Sequence, residues 1–277
     1  MKPVKRVALL HDLCAVGKAA LTNMMPILSV MGIEACPIPT MLLSTHTGGY
    51  GKPAITKTEN AYLYDCARHF REQQIRFDGI FIGYLGNREI ISACEAFLEY
   101  FPEVPVIFDP IMGDNGSYYS NFDSSYCAEI KRLLKRSDII IPNLTEASFL
   151  CQMPYCEEMG ADQLRELCQN LCVQMKPEGR VILTSAPATE GEKGIVVYQD
   201  QTEEQFFFPS CGGHYHGTGD VFDGVFTAAW MQGKEISECV RMAHEFTAYC
   251  IRTSSRYVYP ERDGLLLEIC LPALFEK

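Results

Sequence analysis

The chain has 277 residues, 47% of them hydrophobic and 21% charged, the balance of a folded globular protein and wrong for a disordered one. At that length roughly three quarters of the unfolded chain's surface can be buried, so a core needs no staples. The charge sums to 24 − 35 = −11, which excludes a field favouring nucleic acid or anionic membrane, and no apolar run approaches the roughly 18 residues of a spanning helix.

From the start, Met1-Lys2-Pro3 leads directly into a strand-like run, without signal-peptide anatomy. Short, β-branched-rich apolar runs follow at 7–10, 79–82, 104–108, 139–141 and 181–183. Continuous rather than alternating runs suit strands covered on both faces, as in a parallel sheet. Helix-like stretches fall near 18–31, 60–74, 87–99, 124–136, 160–175, 220–232 and 235–252. Pro26 predicts a kink or a later start for the first. Asn87 is placed to cap the third, and Gly233 to stop the sixth. Residues 194–198 and 205–208 read as a hairpin flap around Asp200-Gln201-Thr202-Glu203. The alternation predicts one α/β domain over residues 1–277: a mostly parallel central sheet with helices on both faces and small flap or lid elements. Right-handed crossovers would bring the segments after each strand to one sheet edge, where ligands bind.

Thirteen cysteines are odd in number and scattered. Cys168 and Cys172 have no second pair at ligand spacing, so all thirteen read as reduced thiols of a cytoplasmic protein, with no metal assigned to them. Cys211 reads as packing near a lid-like segment.

His216-Gly217-Thr218-Gly219-Asp220 precedes a run whose apolar residues 221, 222, 225, 226, 229 and 230 share one helical face, so a helix starts near Asp220. Two glycines with a helix N-terminus behind them make an anion cradle. A carboxylate there suits a hydroxyl beside a phosphoryl group, although Thr218 or Asp220 could equally be a plain helix cap. The segment is neither a Walker loop nor a dinucleotide fingerprint. His11-Asp12, Gly83-Tyr84-Leu85-Gly86, Asp109-Pro110-Ile111-Met112-Gly113-Asp114, Pro142-Asn143-Leu144-Thr145-Glu146 and Thr184-Ser185 follow the other strand-like runs. Acidic groups beside a Gly-rich turn are the kind of set that holds Mg²⁺ and polyphosphate. Each has a plainer role too: Tyr84 as packing, Glu146 as a helix-start acid, Asp114 as a turn residue.

With Ser44-Thr45-His46-Thr47-Gly48 and Tyr50-Gly51 added, these motifs resemble, in order and over nearly the whole chain, the ribokinase-like small-molecule kinases, and within them the pyridoxal/pyridoxamine kinases. The resemblance implies ATP-dependent phosphorylation of the 5′-hydroxymethyl group of a B6 vitamer. Asp220 would be the general base, with the amides of Gly217, Thr218 and Gly219 around the γ-phosphoryl group. Asp114, Asn143, Glu146, Thr184 and Ser185 would bind the nucleotide, with Asp114 and Glu146 on Mg²⁺. His11, His46, Thr47 and Tyr84 would line the substrate pocket. A monovalent cation (K⁺) and a homodimer, its contact in residues 34–52, are further traits the resemblance carries. One departure stands out: where the family's first strand usually ends in a serine beside the substrate, this chain has His11 or Asp12. The rival readings are a hydroxymethylpyrimidine kinase and a non-catalytic small-ligand-binding protein of the same fold.

Overall fold

The computed structural model describes residues 3–188, 192–210 and 212–275; Cys211 lies outside them. In chain order the strands and helices are β1 (Lys5–Val16), α1 (Leu21–Val30), β2 (Ile33–Thr45), β3 (Ile55–Lys57), α2 (Asn60–Glu72), β4 (Gly79–Ile82), α3 (Arg88–Tyr100), β5 (Val106–Phe108), β6 (Gly113–Asp114), β7 (Ser117–Tyr118), α4 (Ser124–Ile130), β8 (Ile139–Ile140), α5 (Leu144–Cys151), α6 (Ala161–Cys172), β9 (Arg180–Ala186), β10 (Glu192–Gln199), β11 (Thr202–Pro209), α7 (Thr218–Met231), α8 (Ile236–Arg256) and α9 (Leu267–Cys270). This is the α/β architecture, mostly parallel with antiparallel outer strands and flanking helices, that the alternation predicts. The chain divides within β4 into two compact units, Met1–Phe81 with Cys211–Lys277, and Ile82–Ser210.

In the first unit the strand order is β4-β1-β2-β3. Val7, Ala8, Leu9 and Leu10 are fully buried, which is why β1 reads as an unbroken apolar run. β1 does not stop there. It continues to Val16, paired parallel to β2, with an irregularity between His11 and Leu13. His11 and Asp12 therefore lie inside the strand, at a bulge, and not after it. β2 was not among the sequence-predicted runs, because Pro37 and Pro39 interrupt its pattern. They are tolerated because β3 pairs only with Met41–Leu43, so no ladder partner on that side needs their missing N–H groups.

Pro26 sits inside α1; the helix starts before it and continues past it. α1 packs against β2 and α7, and α7 against α8. Enclosed in this way, α7 buries every residue from Val221 to Ala229, more than the single face its spacing predicts, and Trp230 is only half-buried.

In the second unit β5, β8 and β9 are parallel, and β10 and β11 extend the sheet antiparallel to β9. The predicted flap is thus part of the sheet, closed by a two-residue turn in which Asp200 and Gln201 both have positive φ. The helical stretch at 124–136 is α4 followed by a tighter 3₁₀ segment, Lys131–Arg136. Cys168 is buried in α6. Among the described residues no helix is long and apolar enough to cross a membrane.

Asn87 caps α3, its side chain accepting the Ile90 N–H at 2.9 Å, and Gly233, at φ 90°, follows the end of α7. Replacing Asn87 with Ala is expected to lower stability by about 1 kcal/mol, the usual worth of such a cap, as a shift of the urea midpoint with unchanged slope.

Candidate active site

α7 begins one residue after Gly217, which is in the left-handed region at φ 77° and supplies no side-chain cap. A Cβ there would lie 2.4 Å from both Asn23 Nδ2 and Lys18 O, so this position needs glycine on both conformational and steric grounds. Asn23 ties the surrounding turns together, its amide donating to Lys18 O at 2.9 Å and Gly217 O at 3.1 Å. Around Gly219 a Cβ would meet nothing within 4 Å. The first N–H groups of α7 have no intrahelical acceptor and point, with the positive end of the helix dipole, to the side where Asp220 stands.

Asp220 is the third residue of α7, its side chain 12% exposed. His11, with a side chain only 1% exposed, places Nε2 3.1 Å from Asp220 Oδ1 and Nδ1 2.9 Å from Asp12 Oδ1. The Asp12 backbone nitrogen also lies 2.9 Å from Nδ1, but an unprotonated Nδ1 would set its lone pair against a carboxylate. Two carboxylates on two ring nitrogens instead favour the imidazolium. Burial pushes His11 toward neutrality, yet the hydrogen bonds and charges of Asp12 and Asp220 outweigh it and raise its pKa to about 10. Burial likewise pushes Asp220 up, but the His11 hydrogen bond and charge, with a further bond from the Ala20 N–H, bring it below the ordinary carboxylate value. Ala20 sits at φ 56°, a strained conformation for a residue with a side chain. The other oxygen of Asp12 accepts from Cys14 Sγ at 3.3 Å, and burial beside that carboxylate pushes the thiol well up.

In the same unit, His46 donates from Nε2 to Arg262 O at 2.6 Å, and its Nδ1 accepts the Gly48 N–H at 3.0 Å. The ring is therefore the neutral Nε2–H tautomer with both nitrogens engaged, and it offers a ligand only a ring face. It packs against His216, with centroids 4.4 Å apart, and Tyr50. Gly48 lies so close to His216 that a Cβ would meet the imidazole at 2.2 Å. Tyr50 donates to Asp263 and lies beneath the Arg262 guanidinium, while Glu261 accepts the His214 N–H. Thr47 is exposed. Motif reading gave no role to Asn23 or Arg262, and quoted Tyr50 and His216 without one. Asn23 left a signal as a buried polar residue among Leu21, Met24, Ile27 and Leu28.

In the second unit Asn143 and Glu146 form a capping box at the start of α5. Asn143 Oδ1 accepts the Glu146 N–H, and Glu146 Oε2 accepts the Asn143 N–H, each at 2.9 Å. Glu146 Oε1 accepts the Met112 N–H at 3.0 Å, Asn143 Nδ2 donates to Gly113 O at 2.8 Å, and Thr145 Oγ1 accepts the Gly116 N–H at 2.9 Å. The turn at 112–116 is thus bolted to the N-terminus of α5. Glu146 is 3% exposed, and burial together with the charge of Asp109 raises its pKa well above the ordinary value against the pull of these amides. Asp114 is exposed, both its oxygens turned to Asn115. Tyr84 accepts from Asn121 Nδ2 at 2.7 Å and packs on Phe122. Thr184 bridges to Asn143 and donates to Pro142 O. Ser185 is exposed at φ 55° beside the irregularity in the β9–β10 pairing. Among the described residues no group of three or more His, Cys, Asp or Glu side chains is arranged to hold a metal.

The first unit therefore presents an ionised carboxylate beside open amide donors, and the second a turn with an exposed carboxylate fastened to a helix start. Residues 27–260 match the family model for phosphomethylpyrimidine kinase. A Schizosaccharomyces pombe protein assigned as a pyridoxal kinase is 26% identical over 72% of this chain and 60% of its own length. A hydroxymethylpyrimidine/phosphomethylpyrimidine kinase of Haemophilus influenzae is 26% identical over 61% of this chain and 63% of its own. The chain thus spans less than two thirds of these two curated relatives. A Bacteroides thetaiotaomicron protein assigned as a phosphomethylpyrimidine kinase, in a crystal form with pyridoxal, superposes with a TM-score of 0.91 at 34% identity over 98% of this chain and 96% of that one. The chain belongs to the phosphomethylpyrimidine kinase family, among the ribokinase-like kinases.

Proposed function

We propose that the protein transfers the γ-phosphoryl group of ATP to the 5′-hydroxymethyl group of pyridoxal, pyridoxamine or pyridoxine, in the cytoplasm and as a homodimer. The observation that carries this reading is Asp220, ionised in the first turn of α7 next to Gly219, where a Cβ would meet nothing within 4 Å. Such a carboxylate can take a hydroxyl proton while amides and the helix dipole meet the charge of the transferring phosphate. Asp220 accepts that proton, and the N–H groups of Gly217, Thr218 and Gly219 face the phosphoryl oxygens. Asn143, Thr184 and Ser185 bind the nucleotide. In the first unit, Thr47 and the face of His46 bound the ring. The Bacteroides relative crystallised with pyridoxal supports the choice of substrate.

The carboxylate set fits Mg²⁺ entering with the nucleotide, since that ion keeps its waters and uses one or two carboxylates plus phosphates rather than an all-protein cage. Asp114, exposed, is the residue that would hold it, while Glu146, both of whose oxygens accept backbone N–H groups, would act only by fixing the turn that carries Asp114; the ion would supply charge neutralisation of the phosphates. A second reading, phosphorylation of hydroxymethylpyrimidine, is favoured by the family model and the Haemophilus relative.

Turnover on pyridoxal, pyridoxamine, pyridoxine and hydroxymethylpyrimidine, followed as ADP release, decides between the two: kcat/KM is expected to be highest for a B6 vitamer, and a clear preference for the pyrimidine would reverse the assignment. Asp220→Asn is expected to lower kcat roughly 10²–10⁴-fold, the range for a lost general base, with ATP binding by calorimetry retained. Near-normal turnover would remove Asp220 from the chemistry. Gly217→Ala, strained at φ 77° and clashing with Asn23 and Lys18, is expected to weaken ATP binding and lower the unfolding midpoint together.

A further inference from the structure

The phosphotransfer chemistry needs one carboxylate, Asp220, yet the structure places two further charged groups in a buried file behind it, His11 and Asp12, joined by contacts of 3.1 and 2.9 Å. His11 is turned wholly inward, with no ring nitrogen left for a ligand, and its ring faces Phe81 of β4 at 6.0 Å. We propose that His11, anchored by Asp12, is a positioning residue for Asp220: it fixes one carboxylate oxygen and leaves the other to take the substrate's proton. The proposal rests on the phosphotransfer reading.

Three consequences follow from the geometry. A carboxylate on a rotatable side chain loses conformational freedom when one oxygen is held, so the free oxygen is presented in one orientation, as preorganised sites require. A fixed cation at 3.1 Å in a poorly solvated site keeps Asp220 ionised where burial alone would neutralise it. That makes Asp220 a weaker base, which is tolerable because in a loose phosphoryl-transfer transition state proton removal need not run ahead of bond breaking. In the step itself the alcohol O–H bond breaks and its proton passes to Asp220. The alcohol oxygen bonds to the γ-phosphorus as the bond from that phosphorus to the β–γ bridging oxygen breaks, and ADP leaves with the electron pair. His11 keeps its protons throughout.

The groups facing this file are Asp12 and, on the far oxygen of Asp12, the Cys14 thiol from β1; Asp220 from α7, with the Ala20 N–H; His46, whose ring is neutral; and Phe81 from β4, which is uncharged. With the pKa of His11 raised to about 10 from an unfolded value near ~6.5, the stabilisation it brings is fully present below ~6.5. It is lost as pH rises from there through about 10, because over that window the native state binds the extra proton.

Two measurements test the proposal. Nitrogen-15 NMR of histidine-labelled wild type at pH 9 is expected to show one imidazolium among the six histidines, missing from His11→Gln. This arm needs no substrate, so it still reads the pin if no hydroxymethyl compound is phosphorylated, an outcome that would sink the phosphotransfer reading instead. In kinetics, His11→Gln is expected to lower kcat about 10–100-fold, as lost outer-shell partners do, with KM for ATP and for the alcohol unchanged. The acid limb of kcat should move to higher pH, since Asp220 loses its cation. Asp12→Asn, the milder variant, should move it less and in the same direction. No imidazolium in the wild type at pH 9, an unchanged kcat and acid limb, or an effect confined to KM for the alcohol would each overturn the proposal, the last by making His11 a ring contact.

Discussion

Everything in the proposed chemistry depends on holding a negative charge in a nearly dry place at the start of α7. A carboxylate with 12% of its side chain exposed would ordinarily take up a proton, because desolvation penalises the charged form. Here the helix terminus, the Ala20 N–H and above all His11 reverse the balance. The same cation is itself kept charged by Asp12. The three groups are therefore interdependent: removing His11 leaves two carboxylates uncompensated in the interior, which is far more costly than the net worth of a pair.

Two acids occupy the third position of their helices, and they have opposite fates. Glu146 in α5 is long enough to reach back to the Asn143 N–H, and a side-chain cap answers it, so a capping box closes and the carboxylate is spent on backbone amides. Asp220 in α7 is one methylene shorter and is preceded by Gly217, which offers no cap. Its carboxylate closes no capping box and is taken by His11 and the Ala20 N–H. The difference between an acid that builds a loop and an acid that can meet a substrate thus comes down to a side-chain length and a missing Cβ.

The residues around the first of these sites are held by contacts that no single motif contains. His46 and Tyr50 are fastened to Arg262 and Asp263, more than 200 positions away in the chain, Gly48 is tied to His46, and His216 packs into the same knot. The family signature marks some of these positions. Their physical task is to fix the backbone of the loop that borders the anion cradle.

What the amino-acid order determined by itself was the alternation of apolar runs and helical stretches, the Asn87 cap, the start of α7 near Asp220, and the motifs that lead to the family; these rest on periodicity and local chemistry, which act over a few residues. β2 escaped because Pro37 and Pro39 look forbidding until the short reach of β3 is known, and α7 reads as one-faced until α1 and α8 are seen to enclose it. Whether His11 would face a substrate ring or a carboxylate could not be read from His11-Asp12 in sequence, since Asp220 is 209 residues away. Only tertiary structure decides that, because the charge of a buried side chain is set by the groups that folding brings within about 3 Å of it, and separation along the chain carries no information about them.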